Sequence, residues 1–255
     1  MNRRLRHAGA LLATAGACAP ALAEDYSTTD VQLLYTTSAK ADPVNGIGTR
    51  DEKATTARFE HFGTHSLGDN YLSLDLFRGH QVGGTGAGAG GGNASLQSFF
   101  VYMPRLSLTK LSGHAIQLGP LQDVGLSVRF EAGSYANYHA TAPGVSLSWK
   151  VPGLAYLETA LYMRKTNFSG AHPLLRVVWL APFNVGDLKL KADGLLLVSR
   201  PDGLGTNVLA QPELRVELDR DGKVEAGLRI EYARYALGGT RYSRTTPNLM
   251  LRWNW

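Results

Sequence analysis

The chain has 255 residues, of which 44% are hydrophobic and 18% charged, and its formal net charge is +5. Three of the 26 basic residues and none of the acidic ones fall in positions 1–23, which leaves 23 basic against 21 acidic residues in the remainder. That near-neutral balance excludes a nucleic-acid polyanion as the partner. Cys18 is the single cysteine, so the chain after residue 18 can form neither a disulfide nor a thiolate metal site.

Positions 1–23 are predicted to be a signal peptide that is removed on export. The segment has a basic start at 2–6, an apolar stretch at 8–19, and the small-x-small sequence Ala-Leu-Ala at 21–23. The apolar stretch is too short to cross a membrane as a helix, which takes about 20 apolar residues. We therefore expect residues 24–255 to form the mature domain after export into the periplasm.

The strongest pattern after residue 23 is alternation of apolar and polar residues with a period of two. In 124–131 every second residue is apolar, and 224–232 and 248–255 repeat this pattern. A tilted strand of about 9–11 residues spans the hydrocarbon layer of a membrane. About twelve such strands are predicted, at 26–37, 53–63, 70–78, 96–109, 121–132, 143–151, 154–165, 173–182, 188–198, 207–218, 224–235 and 245–255.

The predicted connections alternate in length along the chain. Those after odd-numbered strands are long, at 38–52, 79–95, 133–142, 166–172, 199–206 and 236–244. Most of those after even-numbered strands are tight, as the hairpin signal Asp221-Gly222 indicates, although 110–120 is longer than an inner turn should be. Long outer loops and short inner turns are typical of outer-membrane barrels. The predicted fold class is therefore all-β, a closed antiparallel transmembrane β-barrel.

A soluble β-sandwich also alternates apolar and polar residues, and it is the alternative fold. Two features favour the membrane barrel over it. The last predicted strand ends on an aromatic residue, Trp255. Aromatic residues also lie near predicted strand ends, where interfacial girdles occur, at Tyr35, Trp149, Trp179, Tyr235, Trp253 and Trp255.

Two blocks of the sequence resemble a known family of channels. The stretch 56–62 (Thr-Ala-Arg-Phe-Glu-His-Phe), with Gly68-Asp69-Asn70-Tyr71 and Leu74-Asp75, resembles the second and third strands of the nucleoside-specific channel (Tsx) family. The run 104–111 (Pro-Arg-Leu-Ser-Leu-Thr-Lys-Leu) and the Leu-Gly-Pro-Leu at 118–121 are closer still, and the resemblance covers roughly residues 54–132. It implies a monomeric twelve-stranded barrel whose narrow pore passes nucleosides, with bases held against aromatic side chains and sugars against ionisable groups.

The polar face of each strand is predicted to line the lumen, because a lipid-facing Arg or Lys at the bilayer midplane costs about 2–4 kcal/mol. The candidate substrate-binding and lumen-lining residues are Glu60, Phe62, Asp75, Phe77, Arg105, Arg129, Glu131, Glu158, Tyr162, Arg164, Arg176, Arg229 and Glu231. The same phase holds Tyr71, Lys189, Lys191, Arg215 and Glu217. Since both signs occur, most of these charges are expected to pair. The set is interpreted either as a salt-bridged wall or as a constriction that selects uncharged polar solutes.

Other chemistry has weak support in the sequence. A GxGxxG pattern lies within 79–95, but it follows and precedes alternating strands, so this segment is predicted to be a flexible outer loop and not a nucleotide site. His61, His65 and Ser66 are close together without a nucleophile elbow or an acidic partner. No histidine pair has ligand spacing on one strand face. We therefore predict no enzymatic activity, no metal and no cofactor.

The sequence as a whole predicts a passive diffusion channel in the bacterial outer membrane. Its expected partners are outer-membrane lipid and a small polar solute, with nucleosides suggested by the resemblance. Two alternatives stay open. One is a structural or adhesive barrel whose lumen is plugged by side chains, and the other is an outer-membrane hydrolase.

Overall fold

The computed structural model describes residues 24–39, 52–79, 96–116, 118–134, 137–201, 205–237 and 240–255. The signal peptide predicted at 1–23 and most of the loops predicted at 38–52 and 79–95 lie outside these ranges. Within them the chain forms twelve strands and one short helix: β1 (Glu24–Ala39), β2 (Glu52–His65), β3 (Gly68–Gly79), β4 (Leu96–Ser107), α1 (Leu108–Ser112), β5 (Leu121–Gly133), β6 (Tyr138–Trp149), β7 (Tyr156–Thr166), β8 (His172–Val185), β9 (Leu188–Ser199), β10 (Asn207–Glu217), β11 (Val224–Leu237) and β12 (Thr240–Asn254).

The strands close into a single antiparallel barrel, which confirms the predicted fold class. Each strand pairs with its neighbours in the chain, and β1 completes the ring by pairing with β12 from Asp30 opposite Asn254 onward. Two main-chain hydrogen bonds extend this seam, from Thr29 N to Trp255 O (3.3 Å) and from Trp255 N to Thr29 O (3.0 Å). Because closure removes both sheet edges, the ladder satisfies the backbone groups without help from solvent.

Burial in the barrel is inverted relative to a soluble protein. Apolar side chains point outward and are exposed, as at Leu249 (62%) and Trp253 (59%), whereas polar side chains point inward and are buried, as at Gln32 (0%) and Arg215 (3%). In a β-sandwich the apolar faces of two sheets would meet in a shared dry core. The alternative of a soluble sandwich is therefore wrong, and the alternation in the sequence separates an apolar outer face from a polar interior.

Two predicted outer loops are wrong, because β6 and β12 begin five residues earlier than predicted. The segments 133–142 and 236–244 are mostly strand. Pro143 stands at the predicted start of β6 and Pro247 lies inside the predicted β12, and the longer strands accommodate both where a backbone N–H donor is not needed. Pairing of β6 with β7 skips position 143, and the described pairing of β12 with β1 begins only at Leu249.

The longer connection after β4 contains helix α1. Ser107 caps it, since its Oγ accepts from Lys110 N at 3.1 Å, and Gly113 ends it in the left-handed region with φ 67°. Lys110 Nζ donates to His65 O at 2.7 Å, and Asp123 accepts from the backbone N of residue 109 at 3.0 Å. The helix thereby ties the β2–β3 turn to β5. Across the described ranges, no helix has the length and apolar character needed to cross a membrane.

The two ends of the barrel differ in their connections. We call the end that carries the connections after odd-numbered strands the loop end, and the opposite end the turn end. The loop end holds the long connections 40–51 and 80–95, whereas the turn end holds the two-residue turns 66–67 and 186–187. The predicted difference in length therefore holds for these connections but not for those before β6 and β12.

Candidate functional site: the barrel lumen

The barrel encloses a cavity of about 430 Å³, which is within the size range of small-molecule sites. Among the described residues, every strand except β1 contributes to its lining. The cavity extends from the loop end, near Phe168 and Pro201, to the middle of the barrel, near Glu60 and Glu213. The strands position these side chains because alternate residues of each strand point into the lumen.

The described lining of the cavity is balanced in charge. Six arginines are matched by six carboxylates: Arg58, Arg129, Arg164, Arg176, Arg244 and Arg252 against Glu60, Asp75, Glu131, Asp193, Glu213 and Glu231. A wall of this kind creates no net field that would concentrate anions or cations from solution. It is suited to an uncharged solute.

Ion pairs hold the lining side chains in place on the β1–β3 side. Arg58 binds Asp75 through two parallel contacts, Nε to Oδ1 at 2.5 Å and Nη2 to Oδ2 at 2.8 Å. Glu60 accepts from Tyr71 Oη at 2.6 Å and from Gln32 Nε2 at 2.8 Å. Forked arginine contacts and charge-assisted hydrogen bonds fix geometry as well as adding energy. This part of the wall is consequently rigid and polar.

Aromatic rings flank a second ionic group nearer the loop end. Glu131 accepts from Arg129 Nε at 2.5 Å, from Arg164 Nη2 at 2.6 Å and from the Tyr138 hydroxyl. Tyr138 lies 5.9 Å from Phe99 and is stacked on Phe168, with 6.3 Å between ring centroids. We call Phe99, Tyr138 and Phe168 the aromatic cluster. It places flat apolar surface beside ionisable groups that can bind hydroxyls.

The wall formed by β8, β9 and β10 carries a set of aliphatic side chains, which we call the aliphatic wall, beside the charged Arg176, Asp193 and Glu213. The inner-face residues Leu174, Val178, Leu195, Leu197 and Leu209 all line the cavity. Their presence follows from the sequence of β9, where 195–198 reads Leu-Leu-Leu-Val and is apolar on both faces. The cavity thus has both aliphatic and polar lining, so it offers complementary surface to a solute with an apolar face and a polar face.

Charged side chains fill the lumen between the cavity and the turn end. Arg105 binds Asp69 at 2.8 Å, Asp123 at 2.6 Å and Ser146 Oγ at 2.7 Å, and its Nε lies 3.7 Å from Glu158. We call these five residues the turn-end network. Its guanidinium fits because position 125 is glycine, where an added Cβ would lie 2.4 Å from Arg105 Nε. A second group beside it joins Lys191, Glu217, Glu225, Arg215 and Asp193.

The predicted site residues fall into two sets. Those that line the cavity are Glu60, Asp75, Phe77, Arg129, Glu131, Arg164, Arg176 and Glu231. Those on the inner face outside its lining are Phe62, Arg105, Glu158, Tyr162 and Arg229. Within the second set, Tyr162 Oη hydrogen-bonds Ser127 Oγ at 2.8 Å, and Arg229 binds Glu213 and Gln32.

Sequence reasoning missed the aromatic cluster and the aliphatic wall. Phe99 was detectable, since it shares the inward phase of Arg105 in the same strand. Tyr138 and Phe168 were assigned to predicted loops, where phase carries no information. Tyr235 was assigned to an interfacial girdle, but it is 9% exposed and lines the cavity.

The histidines considered for catalysis lie apart from the cavity. His61 points outward, with Nδ1 2.8 Å from Thr29 Oγ1, and His65 Nδ1 accepts from Leu67 N in the β2–β3 turn at 3.3 Å. Among the described histidines, His172 lines the cavity, and its Nδ1 lies 2.8 Å from Gly170 O. In the described part of the chain, no group of three or more His, Cys, Asp or Glu residues could hold a metal ion.

Comparison with known proteins finds similarity at the level of solved structures alone. No protein-family model and no curated protein matches the chain. A KdgM porin in complex with disordered oligogalacturonate matches with 8% identity and a TM-score of 0.49, covering 89% of this chain and 98% of that one. A KdgM porin matches with 8% identity and a TM-score of 0.48 over the same shares of the two chains. A bacterial polysaccharide outer membrane secretin matches with 11% identity and a TM-score of 0.38, covering 91% and 99%.

These scores lie below 0.5, so the fold rests on the strand pairing itself, and the site is interpreted from its own geometry. The class that fold and lumen define is a closed antiparallel barrel with an apolar exterior and a charge-balanced internal cavity. The resemblance to nucleoside-specific channels stays a prediction.

Proposed function

We propose that this chain is a bacterial outer-membrane channel for passive diffusion of small uncharged polar solutes, and that nucleosides are preferred among them. The observation that carries the proposal is the inverted burial around a charge-balanced cavity. Exposed outward side chains such as Leu126, Leu161 and Leu214 are stable against lipid and costly in water. A closed barrel satisfies its backbone within the hydrocarbon layer.

The chemistry of the cavity supports a nucleoside as the preferred solute. A nucleoside is uncharged, has a flat base that can stack on aromatic rings, and has a sugar with several hydroxyl groups. The aromatic cluster lies beside the carboxylate of Glu131 and the guanidinium of Arg164, which are able to bind those hydroxyls. The aliphatic wall offers a second apolar contact. Such a channel works as a monomer and needs no cofactor or energy source.

Single-channel recording in planar bilayers tests the proposal. We expect a stable open level and partial block of the ion current by millimolar adenosine. Phe168→Ala should weaken that block roughly 5- to 150-fold, because stacking on one aromatic ring is worth about 1–3 kcal/mol per base. Phe168 is 60% exposed and its ring stacks on Tyr138, so the variant should fold normally.

Phe183→Ala is the matched control, since Phe183 is an exposed outward-facing residue of β8 outside the cavity lining. It should leave the block unchanged. An open channel that shows no block at millimolar adenosine would remove the nucleoside preference and leave the channel itself.

The turn-end network favours a second candidate, a structural barrel with a plugged lumen. Arg105 and its partners occupy the lumen between the cavity and the turn end, and Arg105 is 8% exposed. A barrel sealed in this way would show no stable open level in the bilayer. Recovery of conductance on replacing Arg105 would then locate the seal.

A further inference from the structure

Basic side chains mark the outward face of the barrel at its loop end. Lys53 on β2, Arg78 on β3, Arg234 on β11 and Arg241 on β12 are all exposed. Their positions alternate with inward-facing neighbours, for example Arg234 with the buried Ala233 and Tyr235, so they point away from the lumen. We call these four residues the basic arc, because their strands flank β1 on its two sides.

Charge on the outer face is segregated by sign and by end. Among strand residues whose side chains the structure describes, every aspartate and glutamate lies on the inner face. The outward-facing basic residues of these strands, which are the basic arc and Lys165, all lie within four residues of the loop end. None of the four residues of the arc forms an ion pair with a described residue. Within the described part of the barrel wall, the arc is therefore a set of cations without anionic partners.

The residues of the arc are close enough to act in pairs. Arg78 lies opposite position 55, so Lys53 is its diagonal neighbour across β2 and β3. Arg241 lies opposite position 236, so Arg234 is its diagonal neighbour across β11 and β12. Diagonal neighbours on one face of a sheet lie about 7–8 Å apart, within reach of long side chains. Each pair can direct two cationic groups at one anion, although like charges so close repel each other when no anion is bound.

The arc borders the apolar surface that would contact hydrocarbon. On β3, Arg78 follows the outward-facing Leu76, and on β11, Arg234 follows Ile230 and Tyr232. Long basic side chains at the edge of an apolar belt extend into the headgroup layer of a membrane. Tyrosines at the same level are typical of the membrane–water interface. The anions available at this level are the phosphates of lipid headgroups.

We propose that the basic arc is a binding site for the phosphate groups of an anionic lipid in the leaflet at the loop end. The inference rests on the proposed membrane location but not on channel activity. Each Lys or Arg near an anionic membrane surface strengthens binding about fivefold. Two residues together therefore contribute roughly 25-fold.

Lipid binding to the purified, folded barrel tests the proposal. The barrel is titrated in a neutral detergent with phosphatidylglycerol and, separately, with zwitterionic phosphatidylcholine, and bound lipids are counted by native mass spectrometry. We expect phosphatidylglycerol to bind more tightly. The double variants Arg234→Gln/Arg241→Gln and Lys53→Gln/Arg78→Gln should each reduce that affinity roughly 25-fold.

The matched control is Lys150→Gln/Lys223→Gln, which removes two exposed basic residues at the turn end. It should leave phosphatidylglycerol binding unchanged. An equal loss in the control would show general charge attraction, and equal binding of the two lipids would show that the arc does not select an anionic lipid. Either result overturns the proposal.

Conductance separates this inference from the proposed channel. Recorded in phosphatidylcholine bilayers, the basic-arc variants should keep the open level of the unmodified chain, because their side chains lie outside the lumen. A barrel that binds phosphatidylglycerol through the arc yet never conducts would overturn the channel and keep the lipid site. A conducting barrel without selective lipid binding would do the reverse.

Discussion

Arg105→Met removes the cation that holds the turn-end network together. Its guanidinium contacts Asp69, Asp123 and Ser146 at 2.8, 2.6 and 2.7 Å. Removing one partner of a buried ion pair costs about 3–5 kcal/mol, because the remaining charge is left uncompensated. The side chains of Asp69 and Asp123 are 20% and 13% exposed, so water replaces part of the loss. We therefore expect the free energy of unfolding to fall by about 3 kcal/mol.

The same variant should change ion selectivity. Without Arg105, three carboxylates face the lumen near the turn end, with Arg176 as the cation bound to one of them, Glu158. The region becomes more negative, and the lumen between the cavity and the turn end loses a guanidinium group. We expect a larger conductance and a shift of the reversal potential toward cation selectivity in a salt gradient.

Two further variants test the roles of charge and of the forked contacts in the turn-end network. Arg105→Lys keeps the charge but loses the forked contacts, so its stability should lie between that of the unmodified chain and that of Arg105→Met. Asp69→Asn in the Arg105→Met background removes one uncompensated carboxylate and should restore about 1–2 kcal/mol. Urea unfolding in detergent, followed by heat-modifiable migration, measures both. Stability and selectivity unchanged in Arg105→Met would show that the network does not act as a unit.

Two other predictions concern the outer face and the lumen wall. Leu126→Arg puts a cation on an outward position that is 51% exposed. It should destabilise the barrel in lipid by about 2–4 kcal/mol relative to Leu126→Ala. An arginine variant as stable as the alanine variant in vesicles would contradict a lipid-facing position. Gly144→Ala should lower the free energy of unfolding by about 1–3 kcal/mol, because its Cβ would lie 2.5 Å from the Tyr162 ring and 2.4 Å from a backbone oxygen. In the control variant Gly170→Ala, the added Cβ meets nothing within 4 Å, so the same unfolding measurement should show no change.

Alternation predicted the number of strands, and the aromatic residues at Trp255 and near the other strand ends favoured a closed barrel over a β-sandwich. A period of two forces successive side chains onto opposite faces, so 124–131 already separates an apolar outer face from a lumen face. Strand ends were less predictable, because a proline can lie inside a strand when its place in the ladder needs no backbone N–H. Pro143 and Pro247 show this, since the strands continue through both.

The site was predictable only where strand phase could be read. Glu60, Asp75 and Glu131 were placed on the inner face by phase, and they line the cavity. Which inward residues meet depends on register, and sequence distance does not give it. Arg105 binds Ser146, 41 residues away, and Arg229 binds Gln32, 197 residues away.

The seam between β1 and β12 has a consequence for how the molecule assembles. Asp30 and Arg252 form an ion pair across it although 222 residues separate them, so the ring is completed by the two most distant parts of the folded chain. Contacts of such long range make assembly slow. Until the seam forms, the first and last strands both expose unpaired backbone and can join other copies. Before insertion, these two strands therefore have to be shielded from other copies. The yield of native protein should depend on this shielding more than on any other step.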